Sequence, residues 1–209
     1  MLSVDAFRRH DETPDSLFYR QPRFVTHIDD AAIAAVTQIY RELFPPDGDV
    51  LDLMSSWVSH LPPEVAYRHV FGVGMNDAEL AANPRLNGYV VHDLNARPSI
   101  PLATATFDAA AICVSIQYLT NPVEVLRDLG RVLRPRGVLA ITFSNRCFPA
   151  KAVAIWQSLS DMGHGKLIGD YLRQAGNWTA VELQDRGSAG PGEDPLYAVI
   201  ARTVADQCA

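Results

Sequence analysis

From Asp49 onward, short apolar runs alternate with stretches of helical period, and that alternation constrains the fold more than any other feature. The runs at 50–53, 70–74, 89–92, 107–114 and 138–143 are each the length of one buried strand. Helical stretches separate them. Ile33, Val36, Ile39, Tyr40, Leu43 and Phe44 recur at spacings of three and four behind Asp29 or Asp30 as a cap. Leu61-Pro62-Pro63 opens a short helix over 63–67, and Asn76 or Asp77 caps another that carries Leu80 and ends at Asn83-Pro84. Asn121, Pro122 and Glu124 form a capping box before Val125, Leu126, Leu129, Val132 and Leu133. Arg134-Pro135-Arg136-Gly137 reads as a stop. Two further helices are expected near 150–159 and 166–175, and two last strands at 178–183 and 196–201. Strand–helix alternation implies right-handed crossovers. The expected fold is α/β: a Rossmann-like, mostly parallel seven-stranded sheet with helices on both faces.

In such sheets ligands sit at the carboxyl ends of the strands. Asp52, Gly74, Asp93 and Ser115 all fall at or just beyond strand ends, so they are expected along one rim. Asp52 is the odd member, because a carboxylate within an apolar strand is costly without a partner or ligand. The turn after it, Met54-Ser55-Ser56-Trp57-Val58, contains no glycine.

Residues 1–30 form an N-terminal arm or lid ahead of a domain over 31–209. Two readings stand for it. Phe18, Phe24, Val25 and Ile28 pin the arm while Tyr19, Arg23 and His27 are solvated; or those three turn inward over a pocket. The net charge of −6 argues against a nucleic-acid surface. No apolar run reaches membrane-spanning length, and the N-terminus lacks the apolar core of a signal peptide. Cys113, Cys147 and Cys208 are an odd, scattered set, with Cys113 expected as a buried free thiol and no metal site. These features suggest a cytoplasmic protein acting on a small molecule, and they leave its oligomeric state open.

The order of elements, Phe107-Asp108 before an apolar strand, and Arg131-Val132-Leu133-Arg134-Pro135-Arg136-Gly137-Val138-Leu139 resemble the class I S-adenosylmethionine-dependent methyltransferases, closest to their small-molecule "type 11" group. The resemblance implies S-adenosylmethionine as cofactor. It places Asp52 near the methionine end, Asp93 as acceptor for the adenine amine and Leu94 beside the ring, with Met54, Ser55 and Ser115 also expected to bind the cofactor and Ser115 opening the stretch that faces the substrate. Residues 115–118, 145–151 and the arm are then expected to shape the acceptor pocket. The departures are the glycine-free turn and Gly74, which stands where the family has a ribose-binding acid. Asn76, two residues on, is the expected substitute. A pyrophosphate requires close backbone approach and S-adenosylmethionine has none, so these departures set a nicotinamide oxidoreductase below a methyltransferase. A non-catalytic binding protein with a degenerate cofactor site is the alternative. Tyr19, His27, His60 and Tyr118 are the candidate catalytic groups, with a base needed only for an acceptor that arrives protonated.

Overall fold

The computed structural model describes residues 3–187, 190 and 192–205. Seven strands form one sheet: β1 (Asp49–Ser55), β2 (His69–Gly74), β3 (Gly88–Val91), β4 (Phe107–Cys113), β5 (Leu133–Phe143), β6 (Trp178–Asp185) and β7 (Tyr197–Thr203). Their order is β3-β2-β1-β4-β5-β7-β6. The first five are parallel, and β7 runs antiparallel to both β5 and β6. The order reverses at β1 and β4, which puts a ligand crevice above their carboxyl ends.

Each face of the sheet closes one apolar layer. On one face, Leu51, Leu53, Ile112, Leu139 and Ile141 pack under α4 (Pro122–Val132) and α6 (Asp161–Ala175). On the other, Val50, Val70, Ala109, Ala111 and Ala140 meet Val36, Ile39 and Tyr40 of α2 (Asp30–Leu43). The alternation follows from the two-residue period of a strand. Asp29 caps α2 by accepting from the Ala32 amide, and Asn76 caps α3 (Asp77–Ala82) by accepting from the Glu79 amide. Two short helices complete the set, α1 (Asp15–Phe18) in the arm and α5 (Ala154–Gln157) after β5. Among the described residues no helix is long and apolar enough to cross a membrane.

Four expectations need correction besides the course of β1. No helix forms over 63–67, where the chain only turns, with Val65 N–H donating to the Pro62 carbonyl. Adjacent prolines remove two amide donors and push Pro62 away from the helical region, and β2 begins six residues after Pro63. Asn121 makes no side-chain cap bond at α4, so the capping box is absent. The Arg134–Gly137 stretch is no clean stop, since β5 already starts at Leu133. Its register jumps from Phe107 against Leu133 to Ala109 against Val138, with Arg136 at φ 65°. There Arg134 clamps Asp108 at 2.7 Å and Asp49 at 2.9 Å, at the end of the sheet away from the crevice. Finally, α5 is a single turn, whereas α6 starts earlier than expected, at Asp161 behind Ser160.

The largest correction concerns β1. It does not end at Leu53 but continues to Ser55, with a register shift between the two and Met54 at φ 62°. The shift reverses the alternation, so that Met54 packs on the layer that Leu51 and Leu53 face. Ser55 then pairs with Gly74, and a Cβ on Gly74 would collide with the Ser55 carbonyl oxygen. Gly74→Ala is therefore expected to destabilise the fold by about 1–3 kcal/mol. Urea unfolding measures this, and a loss below about 0.5 kcal/mol would show that the bulge yields freely.

Candidate active site

A cavity of about 270 Å³ opens over the carboxyl ends of β1 to β5, close to the lower end of the range for small-molecule sites, about 300 Å³. One wall comes from the strand ends: Met54 and Ser55 of β1, Gly74 of β2, Asp93 and Leu94 after β3, and Ser115 after β4. The arm supplies the other wall through Asp15, Tyr19, Arg23 and His27. Tyr118, Arg146, Cys147 and Phe148 complete it.

Asp93 holds the turn after β3, its Oδ1 accepting from the Asn95 and Ala96 amides. Its Oδ2 takes no bond from the described residues and remains able to accept from a ligand. Leu94 beside it is buried and apolar. The chain leaves β4 through Val114, a β-branched residue held at φ 47°, a conformation that stores strain. That turn presents Ser115, whose Oγ is buried without a hydrogen-bond partner. A buried hydroxyl left unsatisfied beside a cavity is suited to a polar ligand atom.

Asp52 is not part of this cavity. It lies inside the sheet, paired with Gly72 and Ala111 across both neighbouring strands, and its charge acts on Tyr40 of α2. Ser55 Oγ donates to Asp52 Oδ2 at 2.6 Å and Ser59 Oγ donates at 2.7 Å, while Asn83 Nδ2 donates to Ser59 Oγ. Asn76 lines the cavity with its amide engaged: Nδ2 donates to the carbonyls of Tyr19 and Arg20, which ties the arm to the sheet. His60 also lies outside the cavity lining. It sits at φ 51°, its carbonyl accepts from Thr37, and burial lowers its pKa. Gln117 points inward to the Val114 carbonyl rather than lining the space. Trp57 packs edge-on against Phe24 and donates to the Val25 carbonyl.

The remaining candidate bases differ in electrostatics. Burial pushes the Tyr118 phenol up to about 12, and its oxygen accepts from the Phe148 amide. Burial, then the nearby Tyr118 and Asp15, pushes Tyr19 higher still. Both are neutral at physiological pH. His27 has its pKa lowered, by burial first and then by the charge of Arg23, so it is a neutral imidazole able to accept a proton. Cys113 and Cys147 are free thiols, with Cys113 raised to about 11 by burial. Cys208 lies outside the described residues. Among the described residues no cluster of His, Cys, Asp or Glu could hold a metal ion.

The sequence reading missed the group that seats the arm. Asp15 is buried, and Arg9 Nη1 donates to both its oxygens at 2.8 Å. Fully buried Lys151 lies 3.2 Å from Asp15 and donates to the carbonyls of Asp11 and Thr13. Asn95 donates to Asp15 and to the Tyr118 carbonyl. Burial alone would raise the Asp15 carboxyl, but bonds from Asn95, Arg9 and Lys151 outweigh it and hold it below the usual range. Nothing in a polar stretch such as Arg9–Asp15 signals burial; the partners lie about eighty and about 140 residues away.

Comparison with known proteins bears on this geometry. Residues 55–141 match the family described as "Methyltransferase domain" (Methyltransf_11). A SAM-dependent methyltransferase from Aquifex aeolicus superposes with a TM-score of 0.59 at 18% identity, covering 91% of this chain and 97% of that one. The [4+2]-cyclase SpnF superposes with a TM-score of 0.60 at 15% identity, covering 82% and 81%. A demethylmenaquinone methyltransferase of Chlamydia muridarum (strain MoPn / Nigg) is 38% identical over 53 residues, 25% of this chain. The match spans 22% of that relative's own length.

Residues 55–141 thus match a methyltransferase domain, and the fold as a whole is shared with S-adenosylmethionine-dependent methyltransferases.

β1 is two residues longer than the apolar run Val50–Leu53 and no helix follows it, so the acid of the first strand is sealed below a lengthened strand rather than presented at its end. After β3 and β4 the rim carries a carboxylate oxygen without a bond, an aliphatic side chain and a buried hydroxyl without a partner.

Burial raises the Asp52 carboxyl from 3.8 to about 6, outweighing the bonds from Ser55 and Ser59. The folded state thus holds this proton more tightly than the unfolded state. Its contribution to stability is complete below about pH 4 and is lost as pH rises through about 6, a change of at most about 3 kcal/mol. The stability of the wild type relative to Asp52→Asn should therefore fall from about pH 4 to about pH 7 in urea unfolding. A gap that stays constant would refute the assignment. Asp15→Ala removes the buried carboxylate that Arg9 and Lys151 share and leaves Lys151 only the more exposed Asp11 at 3.3 Å, so about 3 kcal/mol should be lost. Limited proteolysis should then cut within residues 9–28; an arm that stays protected would show that it is held by other contacts.

Proposed function

We propose that this chain binds S-adenosylmethionine along the rim of β1 to β4 and transfers its methyl group to a small-molecule acceptor beneath the N-terminal arm. The observation that carries the reading is a pair of unsatisfied polar atoms on residues that line one cavity: Asp93 Oδ2 without a bond and the buried Ser115 Oγ without a partner. Asp93 would accept from the adenine amine, Leu94 would cover the ring, and Ser115 would meet a polar atom of the ligand. The bound cofactor supplies an electrophilic methyl group on sulfur. The chain supplies alignment and exclusion of water, a proximity effect of about 7–11 kcal/mol at best. The arm serves that role by closing the cavity through Tyr19 and Arg23. For an acceptor that arrives protonated, His27 is the group that takes the proton.

A second reading, a binding protein on the same fold, is favoured by Asp52 and Asn76. The first is sealed off and the second has its amide occupied by the arm, so neither is free to meet a ligand as the family resemblance implies. A nicotinamide oxidoreductase is disfavoured further, because no helix after β1 offers its N-terminus to a pyrophosphate.

Thermal unfolding with S-adenosylmethionine, S-adenosylhomocysteine and NAD separates the three. Either sulfur compound at a hundredfold excess over Kd should stabilise the fold by about 2.7 kcal/mol, and NAD should not. No shift with either sulfur compound at millimolar concentration would sink the methyltransferase reading. Stabilisation without S-adenosylhomocysteine production from any offered acceptor would favour the binding protein. Asp93→Ala should abolish the shift, and an unchanged shift would place the adenine elsewhere.

A further inference from the structure

Arg23 differs from the other cations around the cavity. Arg9 and Lys151 have Asp15, and Arg146 has Asp194 at 2.7 Å. Among the described residues Arg23 forms no ion pair, although it lines the cavity. Two bonds fix it in place: its backbone N–H donates to Glu79 at 2.7 Å, and Nη2 donates to the Phe18 carbonyl at 2.9 Å. Its guanidinium carbon lies 4.6 Å from the ring centre of Phe18, 5.4 Å from Phe148 and 5.7 Å from Tyr19. Aromatic faces attract a cation, and they also displace its water without neutralising its charge. The remaining N–H groups of a planar guanidinium match a carboxylate in two-point geometry. The side chain's position is also informative. Its backbone is anchored on α3, beyond β2, while its head meets Phe148, beyond β5, so it reaches across the middle of the rim.

We propose that Arg23 is a carboxylate anchor, seated among Phe18, Tyr19 and Phe148, that grips the carboxylate of a molecule bound in the cavity. The inference rests on the reading that this cavity takes S-adenosylmethionine. Two molecules could present the group: the cofactor through its methionine end, or the acceptor as a small organic acid. The first would give the methionine end a polar partner in place of Asp52, which is sealed inside the sheet. The second would make anionic acceptors the preferred class.

The test compares ratios of affinity, which a purely structural role for Arg23 would leave unchanged. In one arm, the full chain is titrated calorimetrically with S-adenosylhomocysteine and with its decarboxylated analogue. In the other, with S-adenosylhomocysteine bound, it is titrated with a panel of aryl and alkyl carboxylates and their matching amides. The wild type should prefer the carboxylate at least tenfold in one arm, and Arg23→Gln should bring that preference to within twofold. Preference in the first arm assigns the anchor to the cofactor, and in the second to the acceptor. Arg23→Lys keeps the charge without the planar fork and should reduce the same ratio at least threefold, which keeps the test decisive should Arg23→Gln unfold. Equal binding of carboxylate and uncharged partner in both arms, or a preference that survives these substitutions, would overturn the anchor. Failure of S-adenosylhomocysteine to bind the wild type at all would instead overturn the proposed function.

Discussion

The pairing of Ser55 with Gly74 is the contact from which the unusual features of this rim follow. Because β1 runs on past Leu53, its last residue occupies the space beside the end of β2. An acidic side chain at position 74 would have to share that space with the Ser55 carbonyl, so glycine stands there. The glycine-free turn and the glycine at position 74 are therefore two sides of one close contact. The extension also carries its own support. The reversal at Met54 brings Ser55 Oγ to Asp52, Ser59 donates to the same oxygen, and Asn83 reaches Ser59 from beyond α3. Asp52 thereby holds down the loop that follows β1.

Polar bonds tie the arm to the rim. Asn76 holds the carbonyls of Tyr19 and Arg20. Glu79 takes the Arg23 amide, and Asp15 gathers Arg9, Lys151 and Asn95 into one buried cluster. Buried charges of this kind contribute little net stability when compared with an apolar core, but they demand one geometry, because each partner left alone is costly. Here that geometry places aromatic and cationic side chains over the strand ends. The arm in this way supplies much of the polar lining of the pocket.

Much of this was legible in the chain. The alternation of apolar runs and helical stripes is local information, and the sheet, its parallel middle, α2, α3 and α4 followed from it. So did the rim positions of Asp93, Leu94 and Ser115, since a residue that follows a strand in a parallel sheet faces the crevice. The helix after Leu61 and the Asn121 capping box failed for local reasons that outweighed a matching pattern: consecutive prolines in one case, and a backbone at Asn121 that leaves its side chain unused in the other. His60 was drawn in by its residue type, although its carbonyl rather than its ring does the bonding.

By itself, the sequence determined the fold class, the parallel character of the middle strands and the rim on which a ligand would sit, because strand and helix periodicities and crossover handedness are set by neighbouring residues. Only the tertiary structure decided that Asp52 faces inward, that Gly74 is required by Ser55, and that Asp15 and Lys151 meet. A reversal at one residue, Met54, changes which face every later side chain of β1 presents. Ion pairs between residues over a hundred positions apart leave no trace in the local pattern of either segment.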